Sequence, residues 1–223
     1  MLKLLHHPLC ADSRRVRLSM NEKNLEYDQQ IINYWDSGEE FISLNTAGNL
    51  PVLLTERDHP ISGVNAISEY LEEAFEDSRN LLGRSALQRA ETRRLVDWFS
   101  NKFYNEVTKN LVWEKYFKRL EGHGEPNSKA LAAGRANILY HLDYIEFLTR
   151  SKRWLNGDEI SLADITAATQ LSVLDYCGDV PWNQNSSAKK WYAQIKIRPT
   201  FSYLLNDRVP GLVAWRDYSK LEF

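Results

Sequence analysis

Apolar positions open the chain in a short run, LKLLHH, which Pro8 closes. In the following SRRVRLSMNEKN, apolar Val16, Leu18 and Met20 are interleaved with Arg14, Arg15 and Arg17, and the two stretches read as strand, turn and basic amphipathic helix. EYDQQIIN alternates weakly, as a second strand would, and DSGEEFISLN predicts a short helix entered from Asp36 or Ser37. In NLPVLLTERDHPISG, Val52, Leu53 and Leu54 are separated by the charged turn ERDH from a return run at Ile61, which is a hairpin pattern. Ala66, Ile67, Tyr70, Leu71 and Phe75 then fall at helical spacing. Residues 1–78 therefore predict the order βαβαββα.

From SALQRAETRRLVDWF onward the period is helical, interrupted by EGHGEPNS and by RWLNGDE. After a linker at 79–86, residues 87–208 predict an all-helical domain. Within it Ser161 and Asp164 form an approximate capping box opening the helix LADITAATQLSVLDY, with Ile160 and Ile165 placed as a hydrophobic staple. The last stretch, 209–223, has no clear period and reads as an extended tail.

Composition narrows the partners more than the fold. The 223 residues carry a formal charge of −2 with no long block of one sign, so neither a nucleic-acid footprint nor a basic membrane patch is expected. MLKLLHHPLC is too short and polar for a signal sequence, and no apolar run is long enough to span a bilayer, so no membrane insertion is expected. Two distant cysteines, Cys10 and Cys177, make no disulfide framework and suit a reducing cytoplasm. His6 and His7 are adjacent on a strand and point to opposite faces, so no metal site is expected. Seven tryptophans and eleven tyrosines suit either aromatic helix contacts or an aromatic partner surface.

Four blocks in order, Pro8 with SRRVRL, NTAGNLPVL, NAISEYLEE and GDEISLADI, resemble the glutathione transferase family over nearly the whole chain. That resemblance implies an α/β thioredoxin-like N-terminal domain joined to an all-α C-terminal domain. It also implies a cis Leu50-Pro51 peptide, with Pro51 and Val52 holding a peptide ligand's backbone. A narrower likeness lies in WEKYFKR with EGHGEPNS, AGRANILYHLDYI, LSVLDYCGDVPW and RPTFSYLLNDRVPG. These resemble the alphaproteobacterial transferase-like proteins that bind the tubulin-like division protein FtsZ. The implied protein is a cytoplasmic homodimer, recruited to the division site, that binds FtsZ filaments and supports constriction rather than conjugating glutathione.

Conjugation needs a thiolate and an anchor for the γ-glutamyl group. Many members of the fold supply the anchor as an acid-serine pair at the start of the third helix; here those positions are Gly63 and Val64, and Asn65 offers only an uncharged amide. Losing such a charge-assisted contact costs about 1.5–3 kcal/mol, or roughly ten- to a hundredfold in affinity, so no cofactor is required and glutathione is expected to bind weakly. Leu50, Pro51, Val52 and Asn65 outline the remnant pocket. Cys10 and Ser13 have the C-x-x-S spacing of monothiol exchange, and a helix start beside Arg14 and Arg15 favours a lowered thiol pKa; the alternative is a small residue packed under the turn. For a partner surface the candidates are Trp35 in a polar loop, the basic run Lys115, Lys118 and Arg119, and the tail residues Trp215, Lys220 and Phe223. Each has a plainer reading, respectively loop packing, a solvated helix face and a strap over the helical domain. Two functions stay open: an FtsZ-binding division protein, or a glutathione transferase or thiol-exchange enzyme using Cys10 or Ser13.

Overall fold

A computed structural model describes residues 1–36 and 38–221 and divides the chain into two compact units, Met1–Leu81 and Leu82–Phe223. Among the described residues the first unit runs β1 (Leu2–His6), α1 (Ala11–Glu22), β2 (Tyr27–Ile31), a 3-10 turn (Tyr34–Asp36), α2 (Glu39–Leu44), β3 (Val52–Leu54), β4 (Pro60–Ser62) and α3 (Val64–Ala74). The strand order is β2-β1-β3-β4, with β2 parallel to β1 and the other pairs antiparallel. Alternation along β1 divides the core. Leu2 and Leu4 turn to one face, where Val16 and Met20 of α1 and Ile67 and Leu71 of α3 close over them. Leu5 and Val52 turn to the other, under Phe41 of α2 and Leu50. The short helix after the second strand is entered from Gly38 rather than from Asp36, and Ser37 lies outside the described residues.

The arginines of α1 depart from the expected amphipathic surface, since Arg14, Arg15 and Arg17 are all buried. Two of them are held by polar groups of the protein: Arg14 Nε donates to the Pro8 carbonyl at 2.6 Å, and Arg15 reaches across to α3. Each donor matched in this way lowers the cost of taking the charge out of water.

The second unit is helical. α4 (Ala86–Asp97) continues into a wider, π-wound stretch over Trp98–Phe117, where the Lys118 amide reaches back to the Trp113 carbonyl, and ends in α5 (Lys118–Leu120). α6 (Ser128–Thr149), α7 (Leu162–Tyr176), α8 (Ser186–Lys196) and the short α9 (Ser202–Leu205) follow. Residue 86, placed in the linker from the sequence, is already helical, because Ser85 and Gln88 close a reciprocal cap: the Gln88 amide donates to Ser85 Oγ at 3.1 Å and the Ser85 amide to Gln88 Oε1 at 3.2 Å.

Every residue of α7 is buried. Its N-terminal Asp164 accepts four hydrogen bonds, from the Ser161 amide (3.0 Å) and hydroxyl (2.8 Å), the Leu155 amide (2.8 Å) and Trp191 Nε1 (3.1 Å). The Ser161/Asp164 box is thus a structural knot that also ties α8 to α7. At the other end Asp175 pairs with buried Lys196 at 3.0 Å and accepts from Trp182 Nε1 at 2.8 Å. No described helix is long and apolar enough to cross a membrane.

Candidate functional site

In the first unit, Cys10 caps α1 and its Sγ lies 4.0 Å from the Leu50 carbonyl, at the cis Leu50-Pro51 peptide expected from the sequence. Ser13 is fully buried one turn on, its hydroxyl accepting the His7 amide at 3.3 Å. Cys10, Ser13 and Leu50 are therefore neighbours, and Val52 sits behind them in the sheet core.

The electrostatics run against the expected activation of the thiol. Burial, and then the adjacent Asp12 carboxylate, push Cys10 up from 9.0 to about 11, and hydrogen bonding to Ser13 offsets this only in part. A helix start favours a thiolate by its dipole, but here removal from water outweighs it. The arginines that looked like activating neighbours are engaged elsewhere. Arg15 donates through Nη1 to Asn65 Oδ1 at 3.0 Å and through Nη2 to Ser68 Oγ at 2.9 Å, joining α1 to α3. Asn65 is accordingly spoken for by the protein itself. Gly63, standing where the family's acid would be, has φ of +88°, a backbone that an L-residue adopts only with strain.

The partner-surface candidates divide between the units. Trp35 is half-buried in the first, its ring edge-on to His7 and to Tyr34, each at 5.3 Å between centroids. In the second, the basic run is internally neutralised. Lys115 pairs with Asp179, Lys118 with Glu114 at 3.0 Å, and Arg119 with Glu125. The tail behaves as a strap: the Trp215 amide donates to the Tyr176 carbonyl at 2.8 Å, and the buried Tyr218 donates its hydroxyl to the Leu204 carbonyl at 3.0 Å. Trp215 lies with its ring against Gly178 and stays 48% exposed, with Arg216 over its face. Lys220 pairs with Asp217 at 2.7 Å, and Phe223 lies outside the described residues.

One feature escapes the sequence reading. Tyr140, Tyr144 and Phe147 form a stripe along α6, with Trp98 tilted against Tyr144 at 4.4 Å between centroids and Tyr144 stacked on Phe147; Tyr140 and Phe147 are 57% and 59% exposed. Their spacing of four and three residues is the signal, but the same spacing marks a core face. Among the described residues no group of His, Cys, Asp and Glu is arranged to hold a metal; His7 uses Nδ1 to accept the Leu9 amide at 3.2 Å.

Residues 9–74 match the family model for the glutathione S-transferase N-terminal domain. The chain is 46% identical to FtsZ-localized protein A of Caulobacter vibrioides, covering 99% of this chain and 98% of that one. Among solved structures, FzlA from C. crescentus superposes with a TM-score of 0.95 at 45% identity, covering 100% of this chain and 99% of that one. A glutathione S-transferase from Rhodospirillum rubrum F11 gives 0.96 at 45% identity over the full length of both.

Proposed function

This chain belongs to the glutathione S-transferase family, and from that premise we propose that it is a transferase-fold protein that binds FtsZ filaments and supports cell division without relying on glutathione conjugation. The observation that carries the reading is the likeness to FtsZ-localized protein A from one end of the chain to the other. The remnant site supports it. A thiol at about 11 is almost wholly protonated at neutral pH, the acid-serine anchor is Gly63-Val64, and Asn65 is taken by Arg15. The glutathione affinity left by this arrangement is weak, and no cofactor is needed for filament binding.

The filament contacts in this reading are Trp35 in the first unit and, as a separate contact in the second, the exposed side of the C-terminal strap around Trp215. The paired state of Lys115, Lys118 and Arg119 leaves the basic run the smaller share. The protein acts as a cytoplasmic homodimer recruited to the division site, and the aromatic stripe of α6 is the face that suits a second copy, since rings this exposed and contiguous gain most from being covered. Two filament-binding surfaces per dimer would bridge filaments by avidity.

Co-sedimentation with polymerised FtsZ tests the reading, beside a calorimetric glutathione titration. The expected result is co-pelleting that falls in Trp35→Ala and in a chain ended before Trp215, with weak glutathione binding. Failure to pellet with FtsZ, together with tight glutathione binding and Cys10-dependent turnover, overturns it in favour of the enzyme.

A further inference from the structure

We propose that the outer edge of β2 is a docking site for an extended basic peptide, which adds a strand to the sheet of the first unit; this holds whether or not the protein binds FtsZ. β2 ends the sheet. The Ile32 amide donates inward to the His6 carbonyl at 2.8 Å, so by strand alternation Gln30 and Asp28 also face β1, while Gln29 and Ile31 turn their N–H and C=O groups outward. Gln29, Gln30 and Ile31 are exposed, with Ile31 at 54%. An open edge of this kind is a ready template for another strand, and main-chain pairing of this type is a recurrent mode of peptide recognition.

Two further observations say what would pair there. A cavity of about 390 Å³ opens beside the edge on the face that Lys3 and Leu5 share, walled by Ile31, Ile32, Phe41 and Leu54, large enough for an apolar side chain from a paired strand. Of the charged residues lining the cavity, Asp36 and Glu40 are acidic and Lys3 basic; Glu26, Asp28 and Glu39 add exposed carboxylates in the same stretch of chain, where no lysine or arginine occurs between residues 26 and 40. None of these five carboxylates has an ion-pair partner among the described residues; Asp28 stands opposite Lys3 in the strand register without forming one. A second copy pairing β2 to β2 would set these acids against each other, which opposes that occupant. A strand that alternates apolar and basic residues satisfies the open backbone, the cavity and the carboxylates together.

The probe is a fluorescein-labelled, capped heptapeptide of alternating valine and lysine, followed by anisotropy with the full-length protein. Its controls are the valine-glutamate counterpart and the lysine peptide N-methylated at every residue, which keeps the charge but has no N–H to donate on either edge. The expected result is binding at least tenfold tighter for the unmodified lysine peptide than for either control, weakening as salt rises. Gln29→Pro removes an outward N–H and leaves the ladder to β1 intact, so it should cost the peptide about tenfold, and Asp28→Lys should weaken the preference for the basic sequence. Hydrogen exchange on the unmutated protein gives an independent readout: the Gln29 and Ile31 amides should slow when peptide is bound. Equal affinity for the N-methylated peptide, or unchanged exchange at these amides, overturns the proposal.

Discussion

The cysteine at the head of α1 gives the sharpest quantitative test. Taking Cys10 from 9.0 to about 11 leaves a hundredfold less thiolate at any pH well below 9, so that at pH 7 about one molecule in ten thousand is ionised rather than about one in a hundred. The assay is the thiolate absorbance near 240 nm, and the rate of iodoacetamide alkylation, followed against pH in a Cys177→Ala background. The midpoint of that profile reports ionisation independently of how well reagent reaches the half-buried sulfur. Alkylation should rise about tenfold per pH unit through the neutral range and level off only near pH 11. Asp12→Asn should move the midpoint down, because the Asp12 charge is the second cause of the shift, while leaving it above 9, because burial is the first. A midpoint below 8, or alkylation at pH 7 as fast as that of a free thiol of ordinary pKa, would refute the reasoning and return Cys10 to the list of catalytic groups.

Three other perturbations probe the helical unit. Asp164→Ala strands the buried Leu155 amide and Trp191 indole donors and should lower unfolding free energy by about 3 kcal/mol or more in chemical denaturation, with Asp164→Asn milder. Lys196→Met leaves the Asp175 carboxylate buried and unpaired, a loss of about 3–5 kcal/mol at neutral pH. The deficit should shrink as pH falls, because the unpaired Asp175 takes up its proton at a higher pH than the paired one, and thermal melts at pH 7 and pH 5 compare the two. Gly178→Ala must adopt a φ of +73° and puts a methyl 2.8 Å from the Trp215 ring. A loss of about 1–2 kcal/mol is expected, with faster proteolysis of the C-terminal strap.

The order βαβαββα is legible in the chain because each element of the first unit changes the period of its apolar residues, and Pro51 marks the cis turn before β3. The buried capping acid at 164 is legible too, since S-x-x-D before an apolar run has a local cause. The equivalent box at Ser85 and Gln88 is just as local, written S-A-L-Q, but it is set between Arg84 and Arg89, and the charges obscure it. What periodicity does not carry is the destination of charge. Arg14, Arg15 and Arg17 look solvated in a row, and only the acceptors supplied by Pro8, Asn65 and Ser68, the last two about fifty residues on, put Arg14 and Arg15 inside. The Cys10 ionisation is hidden for the same reason, because its sign is decided by burial rather than by the nearest cations. Lys115 shows the same limit on the surface, its partner Asp179 being sixty-four residues away.

The complete burial of α7 bears on how the second unit comes apart. A helix with one face in solvent can fray or lift from its neighbours and leave the rest standing. α7 has no such face, and its two ends are fastened by Asp164 to α8 and by Asp175 to Lys196 and Trp182. Its amides can meet solvent only when the surrounding helices have already separated. The second unit should therefore open as a single cooperative block, with its slowest exchanging hydrogens in the helix whose sequence, LADITAATQLSVLDY, is among its plainest.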